Sequence, residues 1–140
     1  MGGSKTYLPA GGFTEKTYKQ IGTTANGIKI IKRKDSNNSA APAYSNTPHT
    51  MYATINMETN TVKQIAVYGG NDGRKRIKDI DAGHDHTNFA EGKPLKKFKK
   101  NEIHVHEYDE NGRRSNIARK PSKKERRLIT MALYGRKSNE

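Results

Sequence analysis

The histidines of this 140-residue chain come in pairs. Four of the five stand as His84/His86 and His104/His106. The first pair lies in Asp79-Ile80-Asp81-Ala82-Gly83-His84-Asp85-His86, the second in Glu102-Ile103-His104-Val105-His106-Glu107-Tyr108. Imidazole is the side chain that exchanges a proton nearest neutral pH. Two chemistries use such a cluster. One is first-row metal ligation by His84, His86, His104 and His106, with Asp81, Asp85 or Glu102 nearby. The other is RNA cleavage without metal. There a base takes the 2′-OH proton, an acid protonates the 5′-oxygen and a cation steadies the crowded phosphorane.

The charge of the chain favours the second chemistry. Lys and Arg number 27 against 14 Asp and Glu, a formal net charge of +13. Such an excess attracts phosphate-rich polymers or anionic membranes. No apolar run is long enough to span a bilayer, and the first twenty residues lack the apolar stretch of a signal peptide. Hydrophobic residues make up 31%, low for a globular chain, so part of it is expected to be loop. There is no cysteine, which removes disulfides, thiolate zinc sites and catalytic thiols. No phosphate-binding loop, dinucleotide fingerprint or Gly-x-Ser-x-Gly elbow is present. For the metal-free reading no cofactor is expected.

Two groups of cations are candidates for holding phosphate. Arg113, Arg114, Arg119, Lys120 and Lys123 lead into the last expected helix, whose N-terminus itself favours anions. Lys96 and Lys97 belong to a basic stretch, residues 93–100, that also carries Leu95 and Phe98. Either group can equally be a solvated face.

The elements that must position these groups follow from pattern. Residues 1–12 are Gly-rich and expected to be flexible. Residues 13–21 are expected to form a short helix capped by Thr14, and residues 28–34 a strand after Gly27. Residues 35–48, rich in Ser, Asn, Ala and Pro, read as a loop. From residue 50 the pattern is a meander: strands over 51–57, 62–68 and 74–81, with a turn at Glu58-Thr59-Asn60 and a hairpin at Gly69-Gly70-Asn71-Asp72-Gly73. Residues 82–101 read as a loop and 102–109 as the last strand. On that strand Ile103 and Val105 face one way, while His104, His106 and Tyr108 face the other. After Pro121 a helix over 122–134 opens on Ser122 and Glu125, the spacing of a capping box. Gly135 ends it. The expected core comprises Ile30, Ile55, Ile65, Val67, Ile77, Ile103 and Val105. The fold class is α+β: a mostly antiparallel sheet of four or five strands, a short N-terminal helix and a C-terminal helix packed on it, in a single domain over 13–137.

Residues 46–136 resemble the small C-terminal domains of bacterial polymorphic toxins and phage-borne toxin-like proteins, of the superfamily that includes barnase, EndoU, colicin and RelE-type ribonucleases. The resemblance rests on Tyr44-Ser45-Asn46-Thr47-Pro48, Ile65-Ala66-Val67-Tyr68, Asp79-Ile80-Asp81 with Gly83-His84-Asp85-His86, His104-Val105-His106 and Arg119-Lys120-Pro121-Ser122-Lys123-Lys124-Glu125. It implies helices on a four-stranded antiparallel sheet, metal-independent RNA cleavage in a bacterial cytoplasm and a cognate acidic immunity protein. The alternatives are a phage protein that binds nucleic acid or sits in the virion without catalysis, and a His-ligated metal-dependent nuclease.

Overall fold

The computed structural model describes residues 18–33, 41–42, 44–45, 47–55, 61–134 and 136–138. The flexible segment 1–12, the cap Thr14, the turn at Glu58, most of the loop over 35–48 and the stop at Gly135 lie outside them. The strands are β1 (Tyr18–Thr24), β2 (Ile28–Arg33), β3 (Met51–Ile55), β4 (Val62–Gly69), β5 (Lys75–Asp81), β6 (His86–Ala90), β7 (Lys93–Phe98), β8 (His104–Glu107) and β9 (Arg136–Ser138). Among the described residues one helix, α1 (Lys123–Tyr134), stands between β8 and β9. A seven-stranded sheet runs in the order β8-β5-β4-β3-β2-β1-β9, and β6 and β7 form a separate two-stranded ribbon. The fold is α+β, with a larger sheet than expected.

The meander forms as the sequence predicts. β3, β4 and β5 pair antiparallel in chain order. The β2–β3 pair is parallel, so these two strands are not the arms of a hairpin. Of the helix expected over 13–21, residues 13–17 lie outside the described residues, and residues 18–21 belong instead to β1, paired antiparallel with β2 from Tyr18–Arg33 to Thr23–Lys29. Its aromatic and β-branched residues suit a pleated surface, and Gly22 weakens a helix at this point. Gly27, at φ 89°, closes the turn into β2.

The sheet separates two layers. On one face Ile28, Ile30, Ile55, Ile65, Ile80 and Val105 pack against Ile129 and Ala132 of α1. Val67 and Ile103 join this core from its margin. Ile77 does not belong to it and is 38% exposed. The β4–β5 register steps from Val67–Lys78 to Tyr68–Arg76, so Ile77 is bulged out without a partner. The other face holds a smaller core of Tyr18, Ile31, Ala41, Tyr52, Ala66 and Tyr68. Beside it runs a row of polar side chains that includes Asp79, Asp81, His104 and His106, all buried.

The capping box closes as its spacing predicts. The Ser122 amide donates to Glu125 Oε1 at 2.8 Å, and the Glu125 amide donates to Ser122 Oγ at 3.1 Å. We expect Ser122→Ala to lower stability by about 1 kcal/mol, the usual cost of losing an N-cap. The midpoint of a urea titration reads this directly.

Candidate functional site

Strand pairing brings the two histidine pairs together. In the β5–β8 ladder Asp79 lies opposite His106, and Asp81 opposite His104. Directly paired residues of an antiparallel ladder share a face. His104 and His106 therefore stand on the sheet face that also carries both aspartates, away from Ile80, Val105 and α1. Just past β5, Gly83 at φ 85° turns the chain, which L side chains adopt poorly. The turn places His84 and then His86 over the same face. His84 meets His104 edge-on at 4.9 Å between ring centroids, and His86 stacks on His104 at 5.4 Å and 16°. His86 also meets His106 edge-on at 4.5 Å.

The ribbon that carries His86 was expected to be loop. It is a hairpin, β6 and β7, in which His86 lies opposite Phe98. Phe98 is buried and packs on His104, 5.4 Å between centroids. Pro94 sits in β7 without loss because the ribbon stands apart from the main sheet and has free edges.

Backbone and side-chain partners orient three of the four rings, those of His86, His104 and His106. Asn88, buried on β6, is oriented by the backbone of Ala118: its Nδ2 donates to Ala118 O at 2.8 Å, and the Ala118 amide donates to its Oδ1 at 2.7 Å. Oδ1 is thus an acceptor, and His86 Nε2–H donates to it at 2.9 Å and to Asn116 O at 3.1 Å. The neutral His86 ring then carries its lone pair on Nδ1. His106 Nδ1–H donates to Ser115 O at 2.8 Å, and His104 Nδ1 faces Glu102 O at 3.5 Å. Their Nε2 atoms bear the lone pairs, and both are buried without a hydrogen-bond partner. Burial pushes both of these rings below the ordinary imidazole pKa; for His104 the Asp81 carboxylate works against it, and for His106 the Ser115 carbonyl does.

Beneath the rings lies a charged chain. Asp81 Oδ2 is 3.8 Å from His84 Nε2, 3.7 Å from His104 Nε2 and 3.8 Å from His106 Nε2. Arg114 Nη2 donates to the same oxygen at 2.7 Å, and Gln64 Nε2 donates to Asp81 Oδ1 at 2.7 Å. Asp79 accepts from Arg76 Nε at 2.5 Å and from the Tyr108 hydroxyl at 2.8 Å. Burial pushes the Asp79 carboxyl up, while Arg76 and the Tyr108 hydroxyl pull it down. Arg114 reaches the site because the turn at 109–112 reverses the chain: Asp109 Oδ1 accepts the amides of Asn111 and Arg113. Residues 114–119 then run back along β8, bridging at Tyr108–Arg114 and Val105–Arg119.

Of the four histidines singled out in the sequence, His84 and His86 reach solvent, while His104 and His106 are 0% and 1% exposed. Among the candidate cations, Arg114 belongs to the site. Arg113, Lys120 and Lys123 are exposed, as are Lys96 and Lys97 on β7. Arg119 is held by Glu125 through two hydrogen bonds, at 2.7 and 2.8 Å, and by Glu107 at 2.9 Å, so its charge is already matched. Asn88, Gln64 and Arg76 are not marked as site residues by the sequence. Asn88 alone left a signal: it stands two residues after His86, on the same strand face.

Comparison with protein-family models, with curated proteins and with solved structures returns no match to this chain.

Proposed function

We propose that this chain cleaves RNA at the histidine cluster without metal, leaving a 2′,3′-cyclic phosphate and a 5′-hydroxyl. The observation that carries the reading is the convergence of two solvent-reaching imidazoles, His84 and His86, on His104, with His84 and the half-exposed Arg114 guanidinium sharing the buried carboxylate Asp81. RNA supplies its own nucleophile, so the protein needs a base, an acid and a cation. His86 is the base: Asn88 and Asn116 hold its Nε2–H, which leaves Nδ1 to take the 2′-OH proton. His84 is the acid, and Asp81 Oδ2 gives its proton-carrying form an ion partner at 3.8 Å. As the 2′-oxygen bonds to phosphorus, the 5′-oxygen leaves with the proton from His84. Arg114, 42% exposed, offers the rest of its guanidinium to the phosphorane oxygens. His104 and His106 are positioning residues, which hold the two outer rings by stacking and edge contacts.

The net charge of +13 supports a polyanionic substrate. The β6–β7 ribbon displays Lys93, Lys96 and Lys97, with Phe89 and Leu95 exposed at 56% and 63%. An exposed ring among lysines, that of Phe89, suits an unpaired base. The motif resemblance to toxin ribonucleases points the same way and adds an acidic immunity protein as the partner that would cover this face. No helix among the described residues is long and apolar enough to cross a membrane.

Lys96→Ala with Lys97→Ala is expected to weaken RNA binding and to reduce the slope of log affinity against log salt by about one for each phosphate no longer neutralised. The cleavage rate of bound RNA stays unchanged. Fluorescence anisotropy with a labelled oligoribonucleotide at several salt concentrations measures the slope. The function itself is tested by cleavage of labelled RNA in excess chelator, with identification of the product ends.

A further inference from the structure

The floor of the site gathers electron pairs and too few protons. The Nε2 atoms of His104 and His106 are lone-pair atoms, buried and unpartnered. Together with His84 Nε2 they surround one carboxylate oxygen, Asp81 Oδ2, at 3.7–3.8 Å. One ligand atom each from Asp81, His84 and His104 lies within 4.8 Å of the others, and so does one each from His86, His104 and His106. A tetrahedral zinc site, with bonds near 2.1 Å, spaces its ligand atoms about 3.4 Å apart. Small side-chain rotations close the difference.

We propose that this acceptor cluster binds one first-row divalent cation of the zinc class, through His84 and His104 Nε2 and Asp81 Oδ2 with water completing the coordination, and that the bound ion switches cleavage off. Two imidazoles beside one carboxylate select such an ion over magnesium or calcium, which take oxygen ligands. Binding requires Arg114 to release Asp81. Its Nε already lies 3.5 Å from Asp79 Oδ2, so Asp79 receives the guanidinium when it swings away. The ion thus occupies His84, the acid, and removes Arg114 from the phosphate position. The metal site stands on the acceptor geometry alone; the inhibitory effect rests on the ribonuclease reading.

The experiment begins with protein stripped of metal by chelator and titrated with Zn2+ by calorimetry, and with Co2+ by absorption spectroscopy. One ion per chain and the visible bands of four-coordinate Co2+ are expected. His104→Ala should abolish them. His84→Ala removes a solvent-reaching ligand with little risk to the fold and should weaken binding at least about tenfold, since loss of even an outer partner of a ligand costs about that much. His49→Ala, whose residue precedes β3 and whose amide donates to Gly73 O of the β4–β5 turn, should bind as wild type. Absence of saturable binding, or binding that is unchanged in both His84→Ala and His104→Ala, overturns the site. In parallel, cleavage of labelled RNA should run in chelator, stop with one equivalent of Zn2+ and resume on chelation. Zn2+ that binds while cleavage continues overturns the inhibitory role and leaves the site standing. Cleavage that requires Zn2+ overturns both the inhibition and the metal-free reaction, again leaving the site. RNA intact under every condition counts against the ribonuclease reading, while the titrations still decide the metal site.

Discussion

Replacing His86 with alanine lowers RNA cleavage by about a hundredfold or more, the usual contribution of a placed proton-transfer group. The loss should fall on kcat, since the ring is asked to move a proton in the transition state and to do little for binding. The fold survives: the change removes two hydrogen bonds, to Asn88 Oδ1 and Asn116 O, at a half-buried position, for about 1 kcal/mol each. Asn88→Ala provides the companion experiment. It keeps the imidazole but leaves Asn116 O as the one remaining acceptor of Nε2–H, so the ring is held in place by one hydrogen bond instead of two. Its activity should fall as well, by less than that of His86→Ala. A His86→Ala protein with wild-type kcat would remove His86 from the reaction, and with it the assignment of the base.

The largest effect on stability is expected at Glu125. This carboxylate is 4% exposed and accepts from two Arg119 nitrogens, from the Ser122 amide and from Lys78 Nζ at 2.8 Å. It joins three parts of the chain: α1, the segment that returns along β8, and β5. The Arg119 hydrogen bonds, foremost, hold its carboxyl far below the usual carboxylate range, with Lys78 and the Ser122 amide adding to them. Glu125→Ala strands these donors. A buried pair broken on one side costs about 3–5 kcal/mol, and the 40% exposure of Arg119 brings the expectation down to about 2–3 kcal/mol. Because the folded-state pKa is depressed, the stabilisation is complete above the ordinary carboxylate range. It is lost as pH falls through that range toward the folded-state value. The gap in stability between wild type and Glu125→Gln should therefore narrow from pH 7 to pH 3 in urea titrations. A gap independent of pH would show that the carboxylate's charge contributes nothing.

Several features of this arrangement are legible in the sequence because they are local. The capping box needs only Ser122 and Glu125 at the right spacing, and the β4–β5 turn needs only Asn71-Asp72-Gly73. Alternation along 103–108 is enough to set His104 and His106 opposite Val105. The convergence of the histidine pairs is not local. It depends on the register Asp81–His104, fixed by burial of Ile80 against Val105 across two strands. The β6–β7 ribbon is hidden for a different reason. All of β7 before Phe98 is exposed, so no alternation of apolar and polar residues marks it. In residues 18–21, Tyr18 and Ile21 fit a helical period as well as a strand, and pairing with β2 decides between them. Arg119 shows why a charge run alone misleads: the glutamate that caps the helix also takes up the arginine beside it.

The metal-free mechanism turns on whether imidazoles alone suffice. The most direct measurement is the digestion of end-labelled RNA by the purified protein in excess EDTA, with wild type, His84→Ala and His86→Ala side by side and the product ends resolved. The mechanism predicts cleavage by wild type in EDTA, products ending in a 2′,3′-cyclic phosphate, and a loss of about a hundredfold or more in each variant. Cleavage that disappears in EDTA and returns with added metal would contradict it, as would RNA that stays bound and whole.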